Sequence, residues 1–285
     1  MALLFEGAAA PIPLRGRTSL APTLAEIAAE LGRSGEWADA DFVLRFFPVF
    51  DFQRKGVAAL FCTPMYARAG VTTLYGHRAF HDLSAEEWAA IDCAILEHAL
   101  GFARRMMAAQ LVVAVGASVS FATLSDPIGR MKFRDALRKA NAREQAYLIV
   151  KIEDIPDRTG ARRMAEIVSS VRGLAPRVWV HLPGSHVPIG GHEPLRANGL
   201  VLSMPPRMPM HGMATEARWL ARAATLQSAL ACMDHVDCTT ELDFVRTAGI
   251  RFVAGRAVGR PALAASAAFE EIRATLHGTR NTSVG

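Results

Sequence analysis

The sequence predicts an α/β fold, a TIM-like (β/α)8 barrel entered through an antiparallel hairpin, on three observations. Short apolar strand-like runs recur along the chain, helical patterns separate them from the third run onward, and the first two runs lie close enough to form a hairpin. Parallel strands need crossover segments between them, and here helices supply these. Strand-helix alternation repeated about six times over roughly 225 residues suits one closed barrel better than an open doubly wound sheet.

The elements follow in order. Residues 1–40 form an N-terminal extension with one expected helix, Leu20–Leu31, after a proline-containing stretch. Phe42–Phe50 and Val57–Phe61 make the hairpin. Ser84 and Glu87 have capping-box spacing and open a helix over Ser84–Met107. Then come a strand at Leu111–Ser120, a helix at Pro127–Asn141, a strand at Tyr147–Ile152 and a helix at Arg162–Gly173. Strands at Val178–Leu182 and Leu200–Ser203 precede a helix at Thr215–Leu230 and a weaker strand at Ala229–His235. A helix at Thr239–Ala248 and a strand at Ile250–Val253 close the barrel, placed at 41–265. Residues 266–285 finish a last helix, expected over 262–277, and a frayed tail.

Composition narrows the classes. With 51% hydrophobic and 21% charged residues the chain has ample core material, which excludes disorder throughout. The longest apolar stretch, Ala108–Leu124, is broken by Gln110, Gly116, Ser118 and Ser120, so no membrane span is expected. The N-terminus has the wrong charge order for a signal peptide. Cys62, Cys93, Cys232 and Cys238 form neither a C-x-x-C pair nor a dense framework, so a reducing cytoplasm is the expected location. The formal charge of +5 is not read as a nucleic-acid signal, because only four of the 32 basic residues are lysine. Within Arg130–Arg177 twelve basic residues face six acidic ones, a local +6, and positions 132, 134, 138, 139 and 143 suggest one basic helix face.

In a β/α barrel the chemistry sits at the C-terminal strand ends, here Phe61, Ser118, Lys151, His181, Val201 and Asp234. The segments around them carry a resemblance. FFPVFDFQRKGVAALFC resembles the opening of the EAL domain, the cyclic-di-GMP phosphodiesterase family, with its Glu-Ala-Leu motif. SVSFATLSDP is similar to the family's Asn-Leu-Ser segment, LIVKIED to its Leu-Glu-Leu-Glu-Ile-Thr-Glu strand, and VWVHLPG to Ala-Leu-Asp-Asp-Phe-Gly. MDHVD stands where Ala-Glu-Gly-Val-Glu does, and ELDFVRTAGIRFVAGRAVGRP resembles the closing stretch, the most specific of the six. The resemblance spans Asp41 to Pro261 and implies an EAL-type barrel.

It also implies what this chain has lost. The family holds divalent metals with carboxylates and activates a water. By the same correspondence the motif Glu reads Phe61, the liganding Asn reads Ser118, the third-strand Glu reads Lys151, and the paired aspartates read His181 and Leu182. The catalytic Lys reads Val201, the phosphate-pairing Arg reads Met65, and Asp234 is the one approximate survivor. No metal, cofactor or catalytic residue is therefore expected, and phosphodiesterase activity is expected to be absent. No nucleophilic serine or cysteine triad is expected: Ser118 and His181 stand on strands that could approach each other, but no Gly-x-Ser-x-Gly elbow surrounds the serine.

The leading reading is a noncatalytic regulatory or adaptor barrel in bacterial signalling that works through a protein partner, with cyclic-di-GMP and nucleic acid not expected as ligands. The loop Met204–Met213, with Met204, Arg207, Met208, Met210 and Met213, is one candidate partner surface, alongside the basic helix and the N-terminal extension. An alternative is a sensor holding an anion, or cyclic-di-GMP without hydrolysis, on Lys151, His181 and His235; an ion pair between Lys151 and Asp234 across the mouth is the competing use of that lysine. A second alternative is a metal enzyme rebuilt on His181, His186, His192, His211 and His235 with Asp234, although the spacing matches no established metal motif.

Overall fold

The computed structural model describes residues 41–67, 74–75, 83–111, 113–185, 187, 194–205 and 208–258. The expected helices at 20–31 and 262–277 lie outside them. Strand β1 (Asp41–Asp51) pairs antiparallel with β2 (Gly56–Ala67), and a two-residue strand, β3 (Leu74–Tyr75), is added to the edge of β2. From β2 the sheet continues in parallel through β4 (Ala114–Ser120), β5 (Leu148–Glu153), β6 (Val178–Leu182), β7 (Gly199–Ser203), β8 (Leu230–Asp234) and β9 (Phe252–Ala254). Strand β9 then pairs antiparallel with β1, so eight strands close into a barrel with β1 as the reversed member.

The helices are α1 (Ala85–Ala108), α2 (Phe121–Ser125), α3 (Pro127–Arg138), α4 (Ala142–Tyr147), α5 (Ala161–Arg172), α6 (Met210–Leu226) and α7 (Thr239–Thr247). The capping box at Ser84 and Glu87 is formed: the Ser84 hydroxyl accepts from the Glu87 N–H and the Glu87 carboxylate accepts from the Ser84 N–H. The expected helix over Pro127–Asn141 ends at Arg138 instead, and Asn141 caps a separate helix, α4, with Glu144. The basic positions 132 to 143 therefore belong to two helices rather than one face. Lys132 is paired with Glu86 (2.7 Å) and Arg138 with Asp135 (2.6 Å), as solvated helix charges are. Helix α6 starts at Met210, five residues before the expected Thr215, and ends at Leu226.

The strands are buried on both faces, which is why they read as nearly continuous apolar runs. Alternate residues divide two cores. Val115, Ala117, Val119, Leu148, Val150, Ile152, Val178, Val180, Leu200 and Leu202 pack outward against the helices. Val49, Ala59, Phe61, Ile149, Trp179, Val201, Cys232, Phe252 and Ala254 fill the barrel interior. Burial pushes the thiols of Cys62 and Cys232 well up and that of Cys93 to about 12, so these three are inert apolar groups.

Closure is clamped by one buried carboxylate. Asp51, 1% exposed, accepts from the Arg251 Nη2 (2.6 Å) and Nε (3.0 Å) and from the backbone N–H of Gln53 (2.9 Å) and Arg54 (3.3 Å). Burial alone would raise its pKa, but the hydrogen bonds from Arg251, Gln53 and Arg54 outweigh this and hold it below the ordinary value. A depressed carboxylate pKa contributes stability above the unfolded value, near 3.8, that is lost as pH falls through the folded one. Asp51→Asn is expected to cost about 1.5–3 kcal/mol at neutral pH and to flatten the acid limb of a stability-versus-pH curve. Unfolding in urea from pH 7 to 3 measures both; an unchanged acid limb would show that Asp51 does not clamp the closure.

Candidate functional site

The site is a polar layer standing on an apolar plug. Side chains alternate along a strand, so the residue two beyond an inward one also points inward. In the plug, Phe61 and Trp179 have ring centroids 5.5 Å apart, and Trp179 and Phe252 5.8 Å. Two glycines make room for them. A Cβ on Gly116 would lie 2.1 Å from Phe61 Cδ1, and one on Gly199 would lie 2.7 Å from Trp179 Nε1. Each glycine is the cross-strand neighbour of the ring it accommodates, Gly116 of Phe61 and Gly199 of Trp179.

Two residues further toward the C-terminal strand ends come Ser118, Lys151, His181, Ser203 and Asp234 on β4 to β8, with Glu153 one step higher on β5 and His235 just past β8. The Lys151 Nζ lies 2.5 Å from Glu153 Oε1 and 4.8 Å from the centre of the Phe61 ring. Lys151 and Glu153 are 6% and 5% exposed, so this ion pair is internal. Burial pulls the lysine's pKa down, but the charges of Glu153 and Asp234 overcome it and hold the ammonium above its usual value. The expected pairing of Lys151 with Asp234 is thus corrected. The contact is to Glu153, two residues along the same strand and facing the same way, and Asp234 acts only through its field.

Asp234 is itself held below its ordinary value, because His235, Lys151 and His181 outweigh the effect of its burial. Its Oδ1 accepts from the His235 backbone N–H at 2.7 Å. The Ser203 Oγ lies 2.8 Å from His181 Nε2 and 2.9 Å from His235 Nδ1. Ser118 Oγ is fully buried and has no hydrogen-bond partner among the described residues.

The expected positions therefore separate by depth. Ser118, Lys151, His181 and Asp234 meet in the mouth layer, whereas Phe61 and Val201 belong to the plug below it. Leu182 faces the other way, into the core between barrel and helices, because it is one residue from the inward His181. Met65, His186, His192 and Arg207 lie outside the described side chains. His211 is exposed on the first turn of α6. Among the described residues no three His, Cys, Asp or Glu side chains gather as metal ligands do. The methionine loop is mostly not a surface: Met204 is 3% exposed, and Met208 and Met213 pack against the core. The early start of α6 puts Met213 in helical register with buried Ala217, Leu220 and Ala224, leaving Met210 as the exposed methionine of the five-residue set where described. Sequence reasoning missed Ser203 and Glu153. The signal was present in the period of two, since both follow an inward residue by two positions.

An eight-stranded β/α barrel with one reversed strand and its polar groups at the C-terminal mouth defines a class, and comparison with solved structures identifies it as the fold of EAL domains. The Xanthomonas citri FimX EAL domain in complex with c-diGMP superposes with a TM-score of 0.61 at 18% identity, covering 84% of this chain and 94% of that one. An EAL domain protein from Listeria monocytogenes gives 0.61 at 12% identity over 86% and 96% of the two chains. The PaMucR phosphodiesterase in its c-di-GMP complex gives 0.56 at 13% over 78% and 96%. No protein-family model and no curated protein sequence matches the chain. No described helix is long and apolar enough to cross a membrane.

The carboxylate-held metals that the resemblance implies do not fit these residues. By the correspondence that the resemblance gives, one expected ligand position holds the Lys151 ammonium and another the Phe61 ring, which is packed into the plug. Two unit charges of like sign 4 Å apart repel by about 4 kcal/mol near a protein surface, and a divalent ion doubles that. The lysine carries its own anion, Glu153, so the local charge is already balanced.

Proposed function

We propose that this chain is a regulatory barrel of the cyclic-di-GMP signalling lineage that works through contacts with a protein partner and does not hydrolyse the nucleotide. The observation that carries the reading is the internal Lys151–Glu153 pair seated on the Phe61 ring, which puts a fixed positive charge where divalent chemistry needs a hole lined with oxygens. The barrel framework is retained around it, and a retained scaffold without its metal set is suited to recognition rather than turnover. Purified full-length chain incubated with cyclic-di-GMP and Mg²⁺ or Mn²⁺ is expected to release linear dinucleotide no faster than a Phe61→Ala control. Turnover above that control would overturn the reading.

A second reading, a sensor that binds cyclic-di-GMP or another anion without cleaving it, draws on the c-diGMP held by the FimX EAL domain and on the buried Ser118 hydroxyl. Glu153 and Asp234 weigh against it by offsetting Lys151. Calorimetry separates the two: the sensor reading requires saturable binding that Lys151→Glu abolishes, and the adaptor reading requires none.

A further inference from the structure

Three neighbouring strands bring one hydroxyl between two imidazoles. Ser203 ends β7, His181 stands on β6 and His235 follows β8, at the C-terminal mouth where barrel enzymes carry their reactive groups. A serine hydroxyl has one proton, so Ser203 donates to one ring nitrogen and accepts from the other. Nucleophile and base are thus already within hydrogen-bond reach, at 2.8 Å. His235 sits at a φ of 56°, in the left-handed region that side-chain-bearing residues seldom occupy, and its N–H bond to Asp234 holds it there. Asp234, on the same mouth layer, carries a negative charge whose field reaches both rings and favours an imidazolium once one has taken a proton.

We propose that Ser203 is a nucleophile for acyl transfer, acting on small esters at the barrel mouth with His181 as general base and the ring N–H of His235 as donor to the developing oxyanion. The Oγ–H proton passes to His181 Nε2 while Oγ bonds to the carbonyl carbon. The ester C–O bond then breaks and the leaving alcohol takes that proton, giving acyl-Ser203. Water attacks the acyl carbon with His181 again as base, releasing the carboxylic acid and restoring the hydroxyl. The proposal goes beyond the adaptor reading and is independent of it, since a barrel can dock on a partner whether or not its mouth is reactive.

The test uses the full chain and an alkyl fluorophosphonate, whose P–F bond breaks as the serine Oγ bonds to phosphorus and fluoride leaves. Peptide mass spectrometry is expected to place one adduct on Ser203, to find none there in Ser203→Ala, and to show labelling slowed roughly 100-fold or more in His181→Ala. Hydrolysis of p-nitrophenyl acetate is expected to show an acyl-enzyme burst that Ser203→Ala removes. If native chain gives no Ser203 adduct, or labels no faster than the same chain unfolded in urea, the proposal fails. This comparison needs no variant to fold.

Discussion

Lys151→Met is expected to destabilise the barrel by about 3–5 kcal/mol, the usual cost of removing one partner from a buried ion pair. Its origin is the Glu153 carboxylate, which is 5% exposed and loses the ammonium 2.5 Å away. Glu153→Gln has a similar cost for the reciprocal reason. The double variant Lys151→Met/Glu153→Gln is expected to be markedly more stable than the sum of the two predicts, because neither member of the pair is then left inside without the other. Urea unfolding of the four proteins gives the coupling energy directly; single costs under about 1 kcal/mol would mean the pair is not internal in solution. The pH dependence has a definite sign. Lys151 is held above its ordinary value near 10.5, so its contribution is full below that pH and is lost as pH rises through the higher folded value. Lys151→Met is therefore expected to flatten the alkaline limb, and to soften the acid limb as well because the lysine is one of the charges that hold Asp234 low.

Gly116→Ala is expected to cost about 1–3 kcal/mol, toward the upper end, by overpacking the plug. The added methyl would stand 2.1 Å from Phe61 Cδ1 and 2.3 Å from Cε1, inside the distance at which carbon atoms can coexist. A flat ring wedged beside Trp179 has no flexible end with which to retreat. Phe61→Ala alone is expected to cost about 3–5 kcal/mol through the cavity it leaves. In Phe61→Ala/Gly116→Ala the new methyl enters the space the ring vacated, so the two costs are expected to fall short of adding by more than about 0.5 kcal/mol. Strict additivity in chemical denaturation would show that the glycine serves something other than the ring. The same logic joins Gly199 to Trp179. These matched pairs bear on function as well as stability: the space under the mouth is filled by residues fitted to one another, so a Phe61→Glu change alone does not recreate an oxygen-lined cavity.

Much of the fold was legible in the sequence because the driving pattern is local. The hairpin, the Ser84 cap and the bounds of Val178–Leu182 follow from turn spacing, capping chemistry and apolar runs, which neighbouring residues specify among themselves. The short helices α2 and α4 and the break after Arg138 were not legible. A one-turn or two-turn helix leaves too few residues for a period to register, and tertiary packing decides it. Helix α6 starts before the expected Thr215 because the prolines of the Met204–Met213 loop mask a helix whose first turn carries no side-chain cap.

For the site, the sequence by itself determined which residue types stand at the strand ends: an ammonium, an imidazole and an aromatic ring at positions where the resemblance implies oxygen ligands. Only the tertiary structure decided who meets whom. That Ser203 lies between two histidines depends on barrel closure, whereas the Lys151–Glu153 contact and the outward turn of Leu182 follow from the two-residue period of a strand. Residues 22 positions apart for Ser203 and His181, and 32 for Ser203 and His235, become neighbours through strand register. Spacing along the chain carries no record of that register, because it is set by how the two apolar cores pack on either side of the same strands.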